Sequence, residues 1–426
     1  MTIMSESDHD QRPGPYAWYV AGVTMLAYVI SMIDRKFPFI LVESIKRDLH
    51  LSDTQVGLLT GVVFTIVYAT MAVPTARLAD RSSRKRILIA SLTVWSCLTS
   101  LGGFAQNFWQ LAASRVGVAI GESGCSPAAH SMIADYFPPK YRARALGLYF
   151  MGAYLGALIG LAAAGWINDL ANWRVAMWVL GAPGLLLAVL IIFTVREPER
   201  RSLAKAELEV RPSVSQTIFA ILRDRTLLLL LIGCALFSFM FGGLQAFAPA
   251  YIMRTFHVGT TEVGLSYGLC VGLSGALGSI LGGFAGDRYG DQRWKALMVV
   301  GLALFAGPPA FWFALATQSY ALFLLAFFVA HLGMMLYAGP TYSYMQSRLD
   351  SRMHAIGSAI FLFAVSGLGV AFGPLAVGML SDHFAAIMSG AEPLRHALRM
   401  LLAPGLVAAC IYVAAALLIR GTERWS

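Results

Sequence analysis

Apolar runs close to the roughly 20 residues that cross about 30 Å of hydrocarbon recur along the whole chain, separated by short polar connections. A chain patterned in this way has only lipid against which to place most of its surface. Charged residues fill 13% of the 426 positions and hydrophobic ones 58%, whereas a water-facing domain carries about 25% charged residues. Twelve runs can be delimited, at approximately 17–42, 54–76, 87–105, 110–134, 144–166, 174–195, 226–250, 262–285, 295–315, 320–345, 355–380 and 398–420. The expected fold is all-α and membrane-embedded, with twelve transmembrane helices. The N-terminal MTIMSESDHDQRPG lacks the basic segment and cleavage site of a signal peptide, so the first run is expected to be a retained helix.

The net charge of +9 has a topological explanation. With the N terminus inside, 23 of the 32 Lys and Arg residues fall on the even-numbered connections and the termini, six on the odd-numbered connections, and three within spans. That asymmetry places both termini in the cytoplasm of a multi-pass protein, with a bacterial inner membrane as the expected setting. No nucleic-acid partner is needed to account for the charge. Cys97, Cys125, Cys234, Cys270 and Cys410 all sit in apolar runs without a CxxC or Cys/His cluster, so neither a disulfide nor a metal site is expected. No cofactor is implied beyond a proton as coupling ion.

An internal duplication sets the architecture. His50 to Gly61 reads HLSDTQVGLLTG, and 207 residues on, His257 to Gly268 reads HVGTTEVGLSYG. At the same offset Asp80-Arg81 maps onto Asp287-Arg288, and near 210 Arg144-Ala145-Leu146-Gly147 resembles His354-Ala355-Ile356-Gly357. Two pseudo-symmetric six-helix bundles are expected: residues 1–195 and 226–426, joined by a charged cytoplasmic linker, 196–225, that has room for a surface helix.

The connection ADRSSRKR after the second run, with GGFAGDRYG as its second copy, resembles the loop signature of the major facilitator superfamily. That resemblance implies a cytoplasmic gate at Asp80, Arg81 and Arg84, with Asp287 and Arg288 as counterparts. The first copy departs from the pattern in having Ala76 and Ser83 at the glycine positions. Within the superfamily, Asp34-Arg35 in the first run, RVGVAIGE (Arg115 to Glu122) in the fourth, and DYFPPKYRARALG (Asp135 to Gly147) resemble the spinster family of lipid transporters. Lys36, where an aromatic residue is expected, departs from it.

Of the 23 acidic residues only Asp34 and Glu122 lie well inside expected spans, and of the basic ones only Arg35, Lys36 and Arg115. An ionisable group at that depth costs at least about 2.5–3.5 kcal/mol on insertion scales, so each needs a partner or a wet cavity. Arg115 and Glu122 are two turns apart on one helix face. Glu122 is expected to compete with Asp34 for Arg35, and a carboxyl that loses and regains an Arg partner is a proton carrier. A static salt-bridge cluster is the plainer alternative. The duplication places no acid at the equivalent positions of the second half, so these charges serve something the fold does not need twice. Arg35 and Arg115 are candidate binders of an anionic headgroup. His331, Tyr337 and Gln245 are candidate cavity residues, with helix packing as the alternative.

The leading expectation is a proton-coupled, alternating-access transporter, working as a monomer in the bilayer. By family resemblance its substrate is an amphiphilic anion such as a lysophospholipid or sphingosine 1-phosphate. A proton-coupled organic-anion symporter of sugar-acid type is the runner-up, and a receptor or scaffold that has lost transport is the reading from another class. Enzyme chemistry is not expected: HExxH and Walker-type motifs are absent from the sequence.

Overall fold

The computed structural model describes residues 12–198, 213–289 and 292–423, and these are helical with no strand among them. Twelve spans follow in chain order. In the first half they are α1 (Pro15–Leu49), α2 (Asp53–Gly57, Leu58–Val62 and Val63–Arg81 in continuity), α3 (Arg84–Gly102), α4 (Phe108–Ser123 and Cys125–Tyr136), α5 (Pro139–Leu170) and α6 (Trp173–Thr194). In the second they are α7 (Arg225–Phe256), α8 (Thr260–Arg288), α9 (Arg293–Ala316), α10 (Tyr320–Met335 and Ala338–Arg348), α11 (His354–Leu362, Phe363–Val370 and Ala371–Ala385) and α12 (Glu392–Met400 and Leu402–Glu423). All but α3 and α4 contain stretches long and apolar enough to cross a membrane by length and composition alone.

Local chemistry fixes the ends. Pro15 and Pro139 open α1 and α5 at their first helical positions. Ser52 and Gln55 form a capping box at the start of α2, and Asn107, Asn172, Asp224 and Ser319 cap α4, α6, α7 and α10. The duplication is visible in the backbone: α1 and α7 both end on a histidine in the left-handed region, His50 at φ 51° and His257 at φ 55°. Glycine or asparagine is the usual occupant of that position. α1 runs past the expected edge at 42, because the charges that end the apolar run do not end the helix.

A short helix between the halves, Val214–Arg223, is amphipathic, with its own capping box from Ser213 and Gln216. Thr217 and Ile221 are buried against α7 and the start of α11, and Val214, Ile218, Phe219 and Leu222 are exposed. At the start of the linker, Glu197 receives hydrogen bonds from Ser83 and from the amides of Arg84 and Lys85, capping α3. Burial alone raises its carboxyl, but these donors outweigh it and hold the group below the ordinary glutamate value.

Small residues let the helices approach. A Cβ on Gly156 of α5 would lie 2.5 Å from the Val29 carbonyl of α1. Gly264 of α8 meets the Leu161 carbonyl of α5 in the same way at 2.4 Å, and Gly57 of α2 meets the Pro374 carbonyl of α11 at 2.3 Å. The α5–α8 and α2–α11 contacts join the first six spans to the last six. Gly57→Val therefore forces α2 away from α11 backbone. We expect a loss of about 1–3 kcal/mol, read as a lower melting temperature of the purified protein. Gly147→Ala, with nothing within 4 Å of the added Cβ, should melt as wild type. Equal melting of all three proteins would contradict this packing.

Candidate substrate and ion-coupling site

Residues 31, 34 and 35 share one face of α1, since positions three and four apart are helix neighbours. That face meets α3 and α4. Arg35 Nε donates to Glu122 Oε2 at 2.7 Å, and Ser31 Oγ donates to the same oxygen at 2.9 Å. Asp34 Oδ2 accepts from Thr99 Oγ1 at 2.6 Å, and Arg115 Nη1 lies 3.4 Å from Asp34 Oδ1. The two acids and two guanidiniums are thus paired crosswise between α1 and α4. The structure differs from a contest of Asp34 and Glu122 for one arginine, because Arg115 supplies a second cation. The Glu122 side chain is fully buried while Arg35 keeps 22% exposure. Glu122 Oε1 is buried with no partner among the described residues, a state that costs about 1–3 kcal/mol or more for a charged group.

Phe64 of α2 sits between the two guanidiniums, 5.5 Å from Arg35 and 5.0 Å from Arg115, and Tyr68 lies 4.1 Å beneath Arg35. Each ring face offers the cations attraction without neutralising them. A small apolar pocket lies beside the cluster, walled by Phe37, Val42, Val56, Leu59 and Met177, and Arg115 is the one charged residue on its wall.

The second half supplies different chemistry at this depth. Gln245 of α7 accepts a hydrogen bond from Lys36 Nζ of α1, across the interface between the halves. His331 of α10 is buried, its Nδ1 2.7 Å from Ser274 Oγ and its ring stacked on Phe327. Tyr337, at the break between the two pieces of α10, packs its ring 4.9 Å from Phe237. The structure brings Gln245 to the first-half charges through Lys36. It places Tyr337 in an aromatic cluster of the second half.

Of the five gate candidates, Arg84 pairs with Asp135 of the same half at 2.6 Å. The side chains of Asp80 and Arg81 lie outside the described residues. Asp287 and Arg288 are exposed at the end of α8 and have no ion-pair partner among the described residues.

At the opposite face, that of the odd-numbered connections, the halves are tied together by residues the sequence analysis missed. Arg254 at the end of α7 donates to Glu43 of α1 and to both oxygens of Asp53 of α2, at 2.6–2.9 Å. Lys46 and Ser381 also bond Asp53. Asp382 of α11 accepts from the Asp53 and Thr54 amides at the start of α2, and Asp169 of α5 accepts from Thr260 and the Thr261 amide at the start of α8. The two carboxylates cap pseudo-equivalent helix N-termini of the opposite half, where they also meet the positive dipole end. Lys36 to Gln245 at mid-depth and these contacts at the odd-numbered face tie the two halves together. This face is closed.

The sequence matches the Major Facilitator Superfamily profile over residues 24–374. The chain belongs to that superfamily. A major facilitator efflux pump of Mycolicibacterium smegmatis is 36% identical over 93% of this chain and 92% of its own length. The cis,cis-muconate transport protein of Acinetobacter baylyi is 28% identical over 89% and 91%. A crystal structure of a bacterial homologue of the human lysosomal transporter spinster, inward-facing and unoccupied, superposes with a TM-score of 0.85. It is 29% identical and covers 94% of this chain and 97% of that one. This major facilitator protein is spinster-like, and its relatives are transporters rather than enzymes.

The closed face generates a prediction. Arg254→Ala leaves Glu43 without this cation and Asp53 with Lys46 alone, which weakens the tie between the halves. Spin labels at Arg47→Cys and Gln318→Cys, on opposite halves of this face, should then report an added longer-distance population. An unchanged distance distribution would show that the clamp does not hold the face shut.

Proposed function

We propose that this transporter works by alternating access, is coupled to protons, and carries an amphiphilic anion of the lysophospholipid or sphingosine 1-phosphate type. The observation that carries the coupling is the crosswise set Asp34–Arg115 and Arg35–Glu122, present in one half only. Duplication kept the caps and the glycine seams in both halves, yet only the first half holds carboxylates at depth. A buried ion pair is a poor stabiliser, and hydrophobic replacement is often neutral, so retention in one copy favours a working role. In the proposed cycle Glu122 accepts a proton, releases Arg35, and frees that guanidinium for the substrate's anionic headgroup. Arg115 holds Asp34 meanwhile, and Asp34 is the second carboxyl able to exchange its partner.

The positive-inside asymmetry sets the closed face outside and both termini in the cytoplasm. On that orientation the conformation is inward-facing, in keeping with the spinster homologue it superposes on, with Asp80, Arg81, Arg84, Asp287 and Arg288 as the cytoplasmic gate. Residues up to 195 form one rocking unit, 226 onward the other, with 196–225 the tether. A bacterial inner membrane and a monomer complete the proposal.

A second reading is favoured by one specific observation. The muconate relative matches nearly full length, and a small organic acid would satisfy the same cations without a tail.

The test is flux in proteoliposomes, with labelled sphingosine 1-phosphate or lysophospholipid and, separately, cis,cis-muconate, with and without a pH gradient. Wild type should move lipid faster under the gradient, and Glu122→Gln should abolish the gradient effect, lowering gradient-driven flux at least about tenfold, the effect of 1.4 kcal/mol. Muconate flux without lipid flux would establish the second reading. Lipid flux indifferent to both pH and Glu122 would return the charges to a structural role.

A further inference from the structure

Three cations and two carboxylates lie at mid-depth, and their pairing is uneven. Arg35 has Glu122 and Arg115 has Asp34, but Lys36 has a neutral partner, the amide oxygen of Gln245. An amide solvates an ammonium without neutralising it. Lys36 points about 100° around α1 from Arg35, away from α3 and α4 and toward the other half. It is half-buried, with Phe39 the ring nearest its Nζ at 5.3 Å. The site therefore carries one unmatched positive charge, and that charge sits on the interface between the halves. Lys36 and Gln245 stand close to equivalent positions of the duplication, so the pair lies near the pseudo-two-fold axis. Transporters of duplicated architecture bind their cargo at that place.

A second unmatched group lies in the second half. His331 is 2% exposed and its Nε2 has no partner among the described residues. Ser274 Oγ gives its hydrogen to the Cys270 carbonyl, so it accepts from His331 Nδ1–H and leaves Nε2 as a bare acceptor. The remaining contacts of His331 are apolar: Phe327 stacks on it, and Phe241 tilts against it at 5.4 Å.

We propose that Lys36, with Gln245 as its partner and His331 of the second half as a further acceptor, is the anion-recognition point of the transport path, taking a carboxylate or phosphate oxygen of the substrate. The inference rests on the transport reading of the previous subsection and adds a residue and a charge requirement to it. A ligand oxygen supplies the negative charge the amide lacks. His331 Nε2 accepts a hydroxyl or a phosphate O–H from the same ligand, and Phe39, Phe241 and Phe327 receive its apolar part. As Lys36 turns to the ligand it releases Gln245, and with it a hydrogen bond that joins the halves at mid-depth. Recognition of the anion thereby loosens the contact that opening must break.

The experiment measures binding to the full-length protein in lipid nanodiscs. Two probe pairs remove the anionic group and keep the apolar part: lysophosphatidic acid against the monoacylglycerol without its phosphate, and cis,cis-muconate against its dimethyl ester. Wild type should bind the anionic member of one pair, Lys36→Gln should weaken that binding at least about tenfold, and Lys36→Arg should restore most of it. The uncharged members should bind all three proteins alike. The pair that responds identifies the source of the anion, lipid or free acid. Equal anion affinity in wild type and Lys36→Gln would overturn the proposal, as would a wild type that binds neither anion. Lys36→Gln and Lys36→Arg that both elute as wild type on size exclusion keep a folding loss apart from a binding loss. Lys36-dependent binding without flux in proteoliposomes would leave the recognition site standing and remove the transport reading.

Discussion

Hydrocarbon does not solvate charge, and most of this structure follows from how the chain handles the few charges it carries into it. Asp34, Arg35, Arg115 and Glu122 are matched one for one across α1 and α4, with Ser31 and Thr99 filling out the carboxylate shells. The rings of Phe64 and Tyr68 cover the guanidiniums without screening them. Such a cluster can rearrange only by exchanging partners, because no arrangement that strands a carboxylate is tolerable in a low dielectric. Protonation is the one change that lets a carboxyl give up its arginine without leaving a bare charge. The second half, with Gln245, His331 and aromatic walls at the same depth, offers contact without this exchange.

The closed face obeys the same constraint at lower stakes. Arg254 collects Glu43 and Asp53, and the freed amides at the start of α2 and α8 are answered by Asp382 and Asp169 from the opposite half. These contacts are polar and partly wet, so they can form and break. In the α5–α8 and α2–α11 seams the carbonyls of one half approach glycines of the other; in the proposed cycle these seams would slide or part. The two halves are thus joined by glycine seams and by an ionic clamp.

The twelve spans were legible in the sequence because a transmembrane helix satisfies its own backbone, leaving hydropathy as the main variable. The duplication was legible too, since HLSDTQVG and HVGTTEVG encode the same left-handed cap and helix start. Asp34, Glu122, Arg35 and Arg115 stood out by being charged where charge is costly. Glu43, Asp53, Arg254, Asp169 and Asp382 did not, because at the edge of a span a charge is ordinary and its partner lies some 90 to 330 positions away in the sequence. The paired positions of Asp169 and Asp382 relative to the two His-Thr repeats were the available signal. Lys36 was visible as one of three cations inside a span and as a departure from a family pattern. Its direction around α1 toward the second half needed the structure.

The central claim is that the buried carboxylates exchange protons as their arginine partners exchange. Infrared difference spectroscopy of the purified protein in lipid, titrated across the pH range in which transport changes, reads this directly. A protonated-carboxyl band that grows as pH falls, and that Glu122→Gln removes or Asp34→Asn shifts, is the predicted result. A spectrum in which no buried carboxyl titrates, while transport still responds to pH, would contradict the account.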